Sequence, residues 1–295
     1  MQVRGGVKRM YVAKIKNYKG NVLRLTQNEE KYQVLSIEGL NPSSAQVNRA
    51  TMAGLDGSKF NSAKLQERNI VITLKLKGEI ENNRIELYRF FKPKYLCTFF
   101  YKNKNRDVYI EGYTETVEIT PFTNNETMQI SIICPNPYFR SVKNLEESIS
   151  KTISKFAFPF TIENDYPIAF SEIDKEKITN IINDSEDSTG MIVQIDFLGV
   201  VNKIAIKNTE TGEKIELKYD FKENDKVIIN TNRGNKSINL IRDGINYNIF
   251  NTLQRGSGFL QLDTGDNFFS YIIDEGDGDS KVDIKFKHYL LHGGV

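Results

Sequence analysis

The chain reads as a mostly β protein in two domains. Three features carry that reading: apolar and polar residues alternate in run after run, turn signals separate the runs, and the charge changes sign part-way along the 295 residues. That length suits one large or two ordinary domains. With 39% hydrophobic and 26% charged residues, a packed core is expected and wholesale disorder is not. Residues 1–140 hold 22 Lys/Arg against 13 Asp/Glu, a net of +9, whereas residues 141–295 hold 18 against 25, a net of −7. The overall +2 therefore sums two regions of opposite sign, which points to domains with different neighbours.

Along the chain, Gly39 to Asn69 comes first. It has few large apolar residues, no clear period, Asn41-Pro42, and the turn-forming pairs Ala53-Gly54 and Asp56-Gly57. It reads as a long loop, well above the usual ~4–6 residues. Next, Ile70, Ile72, Leu74 and Leu76 alternate with Thr73, Lys75 and Lys77, as a half-buried strand requires. A helix is expected from a cap at Asn82 or Asn83, through Ile85, Leu87, Tyr88 and Phe91, to a stop at Pro93. The segment Lys92 to Arg106 interleaves aromatics with cations, the composition of a single-strand nucleic-acid platform. The plainer reading, preferred here, is a strand with core aromatics at Phe99 and Tyr101 followed by a Lys/Asn-rich turn. Met128, Ile130 and Ile132 give another strand, and Pro135-Asn136-Pro137 marks the boundary between a first domain, 1–140, and a second, 141–295. Leu145, Ile149 and Ile153 have helical spacing, with Phe156 to Phe160 strand-like after them. Further alternating runs cover 193–197, 215–219 and 282–286. The turn signals are Asn124-Asn125, Thr211-Gly212, Asp243-Gly244, Gly265-Asp266 and Gly276-Asp277-Gly278.

No catalytic constellation emerges, and the expectation is a non-enzyme without cofactor or metal. His288 and His292 lie in or just after a strand, where a structural role outweighs general-base catalysis. Gly256-Ser257-Gly258 lacks the spacing of a nucleophile elbow, and no P-loop run exists. The acidic run Asp274 to Asp279 has carboxylates suited to calcium, but Lys285 stands at the twelfth position of an EF-hand-like loop, so a solvated hairpin is expected. Cys97 and Cys134 sit in apolar strand settings and read as inert core thiols. Residues 1–20 lack the apolar stretch of a signal peptide, and no run reaches the ~20 apolar residues of a membrane-spanning helix, so a soluble protein made in a reducing cytoplasm is expected.

Several segments together resemble the distal tail proteins of long-tailed bacteriophages, the siphophage tail-component family of baseplate hubs. They are Gly54-Leu55-Asp56-Gly57 with Arg68 to Ile72; the helix Arg84 to Phe91; Tyr109 to Glu115 with its central Gly112; Cys134-Pro135-Asn136-Pro137-Tyr138-Phe139; and the C-terminal stretches Gly190–Phe197, Ile204–Thr211 and Phe268–Tyr271. No single motif is specific; the ordered set is.

The resemblance implies a β-sandwich or barrel with one packed helix and a long loop, then a galectin-like, carbohydrate-module-like β-sandwich on the outside. It implies a homo-hexameric ring in the virion, at the distal end of the tail. That ring would join the tail tube protein to the tail-associated hub or fibre protein. Tape measure protein and DNA would pass through its channel, and the outer domain would dock a receptor-binding protein. On that basis Arg49, Asp56, Lys59 and Arg68 are candidate inter-subunit contacts. Tyr247, Phe250 and Phe259 are candidate glycan-stacking aromatics, although core packing and docking are preferred for them in a chain without Trp. A glycan-binding cell-wall adhesion module is the alternative.

Overall fold

A computed structural model describes residues 11–25, 31–54, 56–120, 126–149, 178–273 and 281–295. The chain divides into two units, residues 1–143 with 291–295, and residues 144–290.

The first unit is a sheet with a helix on one face. Its strands are β1 (Val12–Lys16), β2 (Val22–Leu25), β3 (Tyr32–Glu38), β6 (Arg68–Leu76), β7 (Leu96–Lys102), β8 (Asp107–Thr120) and β9 (Thr127–Cys134), in the spatial order β2-β1-β7-β8-β9-β6-β3. The alternation predicted at 70–77 is realised in β6: Ile70, Ile72, Leu74 and Leu76 are buried. Met128, Ile130 and Ile132 of β9 join the same core with Ile15, Phe99 and Ile110. Phe99 lies in the core and Tyr101 packs at its margin.

Gly112 on β8 is paired with Cys97 on one side, and Cys134 lies over it from the other. A Cβ there would sit 2.7 Å from the Cys134 sulfur and 2.8 Å from the Ile133 carbonyl oxygen, so only glycine fits. Both cysteines are buried and free, and burial pushes their thiols up to about 11 for Cys97 and about 12 for Cys134.

Helix α1 spans Ile80–Phe90. It starts earlier than the asparagine cap predicts. Glu79 takes the N-cap position without a side-chain cap, while Asn83 is buried inside the helix and donates from Nδ2 to the Lys77 carbonyl at 2.7 Å. The buried stripe runs Asn83, Leu87, Phe91, at four-residue spacing, and Ile85 faces solvent. The polar Asn83 thus secures the helix start from within the buried face rather than from the cap.

Two further elements differ from expectation. Gly39 to Asn69 is not a loop: it holds the antiparallel hairpin β4 (Ala45–Thr51) and β5 (Ser58–Leu65). The Leu145–Ile149 stretch is strand β11, not helix, because β20 (Val282–His288) offers it a ladder from Leu145↔His288 to Ile149↔Ile284. Ile153, Phe156 to Phe160, Asn124-Asn125 and Asp274 to Asp279 lie outside the described residues.

The second unit is a sandwich of two antiparallel sheets. One has the order β11-β20-β13-β16-β17-β18, with β13 (Met191–Phe197), β16 (Lys226–Asn230), β17 (Ser237–Arg242) and β18 (Ile245–Asn248). The other is β12-β19-β14-β15, with β12 (Thr179–Asn183), β14 (Val201–Asn208), β15 (Lys214–Phe221) and β19 (Gly265–Ile273). Val193, Ile195 and Phe197 meet Ile204, Ile206, Leu217, Phe269 and Phe286 in one core. Asp243-Gly244, both at positive φ, turn β17 into β18, as the sequence signal predicts.

The 140/141 division expected from the prolines differs from the observed units at the far end of the chain. β10 (Phe139–Ser141) belongs to the first unit, and so does β21 (Leu291–His292), which pairs with it through Phe139↔His292 and Arg140↔Leu291. The closing residues return because β10 offers an unpaired edge and Leu291 buries its side chain there.

Candidate assembly surface

The β4–β5 hairpin presents its residues to solvent on both faces. Its root is tied by Gln66 N–H to the Ser44 carbonyl at 2.8 Å and by Ser44 Oγ to Gln66 Oε1 at 2.7 Å. Residues directly opposed in an antiparallel pair share a face. Ala45↔Leu65, Val47↔Ala63, Arg49↔Phe60 and Thr51↔Ser58 therefore line one side, and Gln46↔Lys64, Asn48↔Ser62 and Ala50↔Lys59 the other. The first face carries the large apolar side chains, Val47, Phe60 and Leu65, with Arg49, Thr51 and Ser58 toward its tip, and the second is mostly polar. A register shift between Asn48 and Arg49 leaves Asn61 unpaired and brings Phe60 onto the apolar side. Phe60 is 63% exposed, Val47 53% and Leu65 41%. A lone two-stranded hairpin is marginal in water, and this one carries an apolar face that no described residue of its own unit covers.

Of the candidate inter-subunit residues, Arg49 lies on the apolar face, Lys59 on the polar face, and Asp56 in the connecting turn. Arg68 does not belong with them. It is the first residue of β6, only 3% exposed, and its donors are engaged within its own unit. Its position at the end of a buried alternating strand turns the guanidinium inward, where backbone carbonyls receive it.

Two cations of Lys92–Arg106, Lys102 and Lys92, have partners close by in sequence, and Arg106 reaches the C-terminal residues. Lys102 pairs with Asp107 at 2.6 Å, Lys92 sits 4.9 Å over the Tyr95 ring, and Lys14 sits 4.9 Å over Phe100. In the second unit, Tyr247 is exposed on the edge strand β18, and Phe250 follows it in a short 3-10 turn. Phe250 stacks on Phe259 at 5.6 Å, and Lys236 lies 5.0 Å over Phe259, which is half-buried against the core. These rings hold one another and the sandwich edge.

His288 is buried, 1% exposed, and neither ring nitrogen makes a hydrogen bond of good geometry. Burial pushes its pKa down, while the Ile182 backbone and the carboxylates of Glu147 and Asp184 pull weakly the other way. Among the described residues no group of three or more His, Cys, Asp or Glu side chains is placed to hold a metal, and no helix is long and apolar enough to cross a membrane.

Residues 184–289 match the family model described as siphovirus-type tail component, C-terminal domain. That stretch lies within the second unit, which is thus similar to the tail-component family over most of its length. Among solved structures, the SPP1 Dit protein, described as a paradigm of hub adsorption apparatus in Gram-positive infecting phages, matches with a TM-score of 0.69 at 11% identity, over 96% of this chain and all of that one. A chain of the phage p2 baseplate in its activated conformation, solved with strontium, matches at 0.55 with 16% identity, over 95% of this chain and 98% of that one. The same baseplate with calcium gives 0.53 at 16% identity and the same coverage. No curated protein matches the sequence significantly. The family resemblance and the mostly β fold read from the sequence both hold, and the second unit is a two-sheet sandwich.

Proposed function

We propose that the chain is a structural hub protein of a phage baseplate, six copies of which close into a ring at the distal end of the tail. One observation carries this: a tail-component domain sits in a chain whose fold follows hub and baseplate proteins over at least 95% of its length. In this reading the ring joins the tail tube protein to the tail-tip hub or fibre, with tape measure protein and DNA passing through its channel. The outer sandwich docks a receptor-binding protein. The protein is made in the host cytoplasm and carried in the virion, and it has no catalytic role.

The β4–β5 hairpin supports the ring. Its apolar face needs a cover, and heterologous contacts between copies supply one when the rotation closes. Arg49, Asp56 and Lys59 then flank the contact as polar and charged neighbours of Val47 and Phe60. Tyr247, Phe250 and Phe259 serve docking and edge packing rather than sugar stacking, and a glycan array probed with the chain should show no saturable binding.

The decisive measurement is the absolute mass by light scattering, with particle images. A mass about six times 33.9 kDa and a ring with a central hole are expected. A chain that stays monomeric across micromolar to near-millimolar concentrations would overturn the ring.

A further inference from the structure

Arg68 is a buried guanidinium without a carboxylate: among the described residues it makes no ion pair, and burial lowers its pKa. Burying an unpaired charge is costly unless its donors are satisfied. Here each of the three nitrogens has a partner, and every acceptor is a backbone carbonyl. Nε donates to Pro137 O at 2.8 Å, Nη1 to Asn41 O at 2.6 Å and also to Gly39 O, and Nη2 to Gly293 O. The planar group stacks on the Phe139 ring at 4.5 Å.

Those carbonyls belong to three separate stretches of chain. Gly39 and Asn41 form the root of the β4–β5 arm, Pro137 lies on the crossing from β9 to β10, and Gly293 follows β21. The arm root is also held from the other side. The Val295 amide donates to Leu40 O at 3.0 Å, Gly294 lies against Pro42 and the Leu40 carbonyl, and Arg106 donates to Gly294 O. Gly39 itself has φ +84, and a Cβ there would fall 2.1 Å from Asn69 O, so the root can take this path only as glycine.

We infer that Arg68 is a positioning residue that couples the arm root to the returning C-terminal strand, so that releasing either one loosens the other. The coupling is reciprocal, as any linkage between two sites must be. It acts within the first unit and holds whether or not the chain forms a ring. Lysine cannot replace arginine here, because a single ammonium does not present a planar fork to acceptors on three stretches of chain.

Hydrogen exchange by mass spectrometry on the full chain, diluted to a single oligomeric state, tests this. In Arg68→Lys and Arg68→Met, peptides covering residues 39–44 and 289–295 should both exchange roughly tenfold faster, the scale set by unmade buried hydrogen bonds. Peptides of β13 and β16 should not change. A chain lacking residues 294–295 loses the direct contacts of the C-terminus with Leu40 and Pro42 and sets the baseline. A chain lacking residues 291–295 also loses the Gly293 carbonyl. With Arg68 intact it should exchange faster than that baseline at 39–44, and this difference decides the matter if the Arg68 variants do not fold. Loosening confined to one segment, or equal exchange at 39–44 in the two shortened chains, would refute the coupling.

Discussion

Phe60 stands directly opposite Arg49 across the β4–β5 hairpin, although the strict alternation of β5 would send it to the other face. The bulge at Asn61 is what turns it. An exposed aromatic paired with an arginine, on the same face as Val47, Ala63 and Leu65, has the composition of an interface anchor.

Replacing Phe60 by Ser separates folding from assembly. The side chain is too exposed to support the core, so chain stability should change by no more than about 0.5 kcal/mol. Self-association should weaken by roughly 2 kcal/mol or more. Analytical ultracentrifugation reads the second quantity and thermal melting of the dissociated chain the first. Unaltered association would remove Phe60 from the contact.

Arg242 grips Asp225 with two donors, Nε to Oδ1 at 2.8 Å and Nη2 to Oδ2 at 2.5 Å, and the Lys222 amide adds a third at 2.8 Å. Burial alone would raise the Asp225 carboxyl, but these hydrogen bonds outweigh it and hold the group below the ordinary carboxylate range. Because the folded pKa is depressed, this stability is fully present above about pH 4 and is lost as pH falls through the folded value. Asp225→Ala should cost about 3–5 kcal/mol, the cost of leaving one partner of a buried pair. In Asp225→Asn, the wild-type loss of stability below about pH 4 should become shallower in denaturant titrations.

His288 should make the second unit acid-sensitive in a higher window. Its folded pKa is lowered, so the unfolded chain takes up the proton first. Stability is complete above about pH 6.5 and falls as the solution is acidified below it. His288→Leu should flatten the profile between about pH 7 and pH 5, with a change of up to ~1.4 kcal/mol per pH unit removed. An identical slope in wild type and variant would assign the acid response to other groups.

Gly112→Ala should destabilise by about 1–3 kcal/mol through overpacking. Cys134→Ala in the same chain should recover only part of that loss, since the Ile133 carbonyl stays 2.8 Å from the new methyl carbon. A double-mutant cycle by urea unfolding gives the interaction. Full recovery would mean that sulfur alone forbids the side chain.

The strands with one buried face were legible because their alternation is a direct record of which side meets the core; β6, β9, β13 and β20 are the clear cases. The hairpin was not. Its bulge shifts the phase between Ala63 and Phe60, so the apolar face is continuous in space and broken in sequence. β11 misled for another reason: Leu145 and Ile149, four apart, fall on one face in either period. His288 carried a readable signal, since it continues the buried parity of Val282, Ile284 and Phe286. Arg68 carried none. A charge near a loop suggests a surface contact, and the carbonyls that bury it come from residues 39, 41, 137 and 293, which no local pattern brings together.

The pairing of β21 with β10 sets an order of events during synthesis. About 150 residues, including all of the second unit, separate Ser141 from Leu291. At about 5–20 residues per second, the edge of β10 waits roughly 8–30 s on the ribosome for its partner. Throughout that delay the arm root lacks its last restraint. The arm root is therefore completed only in chains whose second unit has already been made.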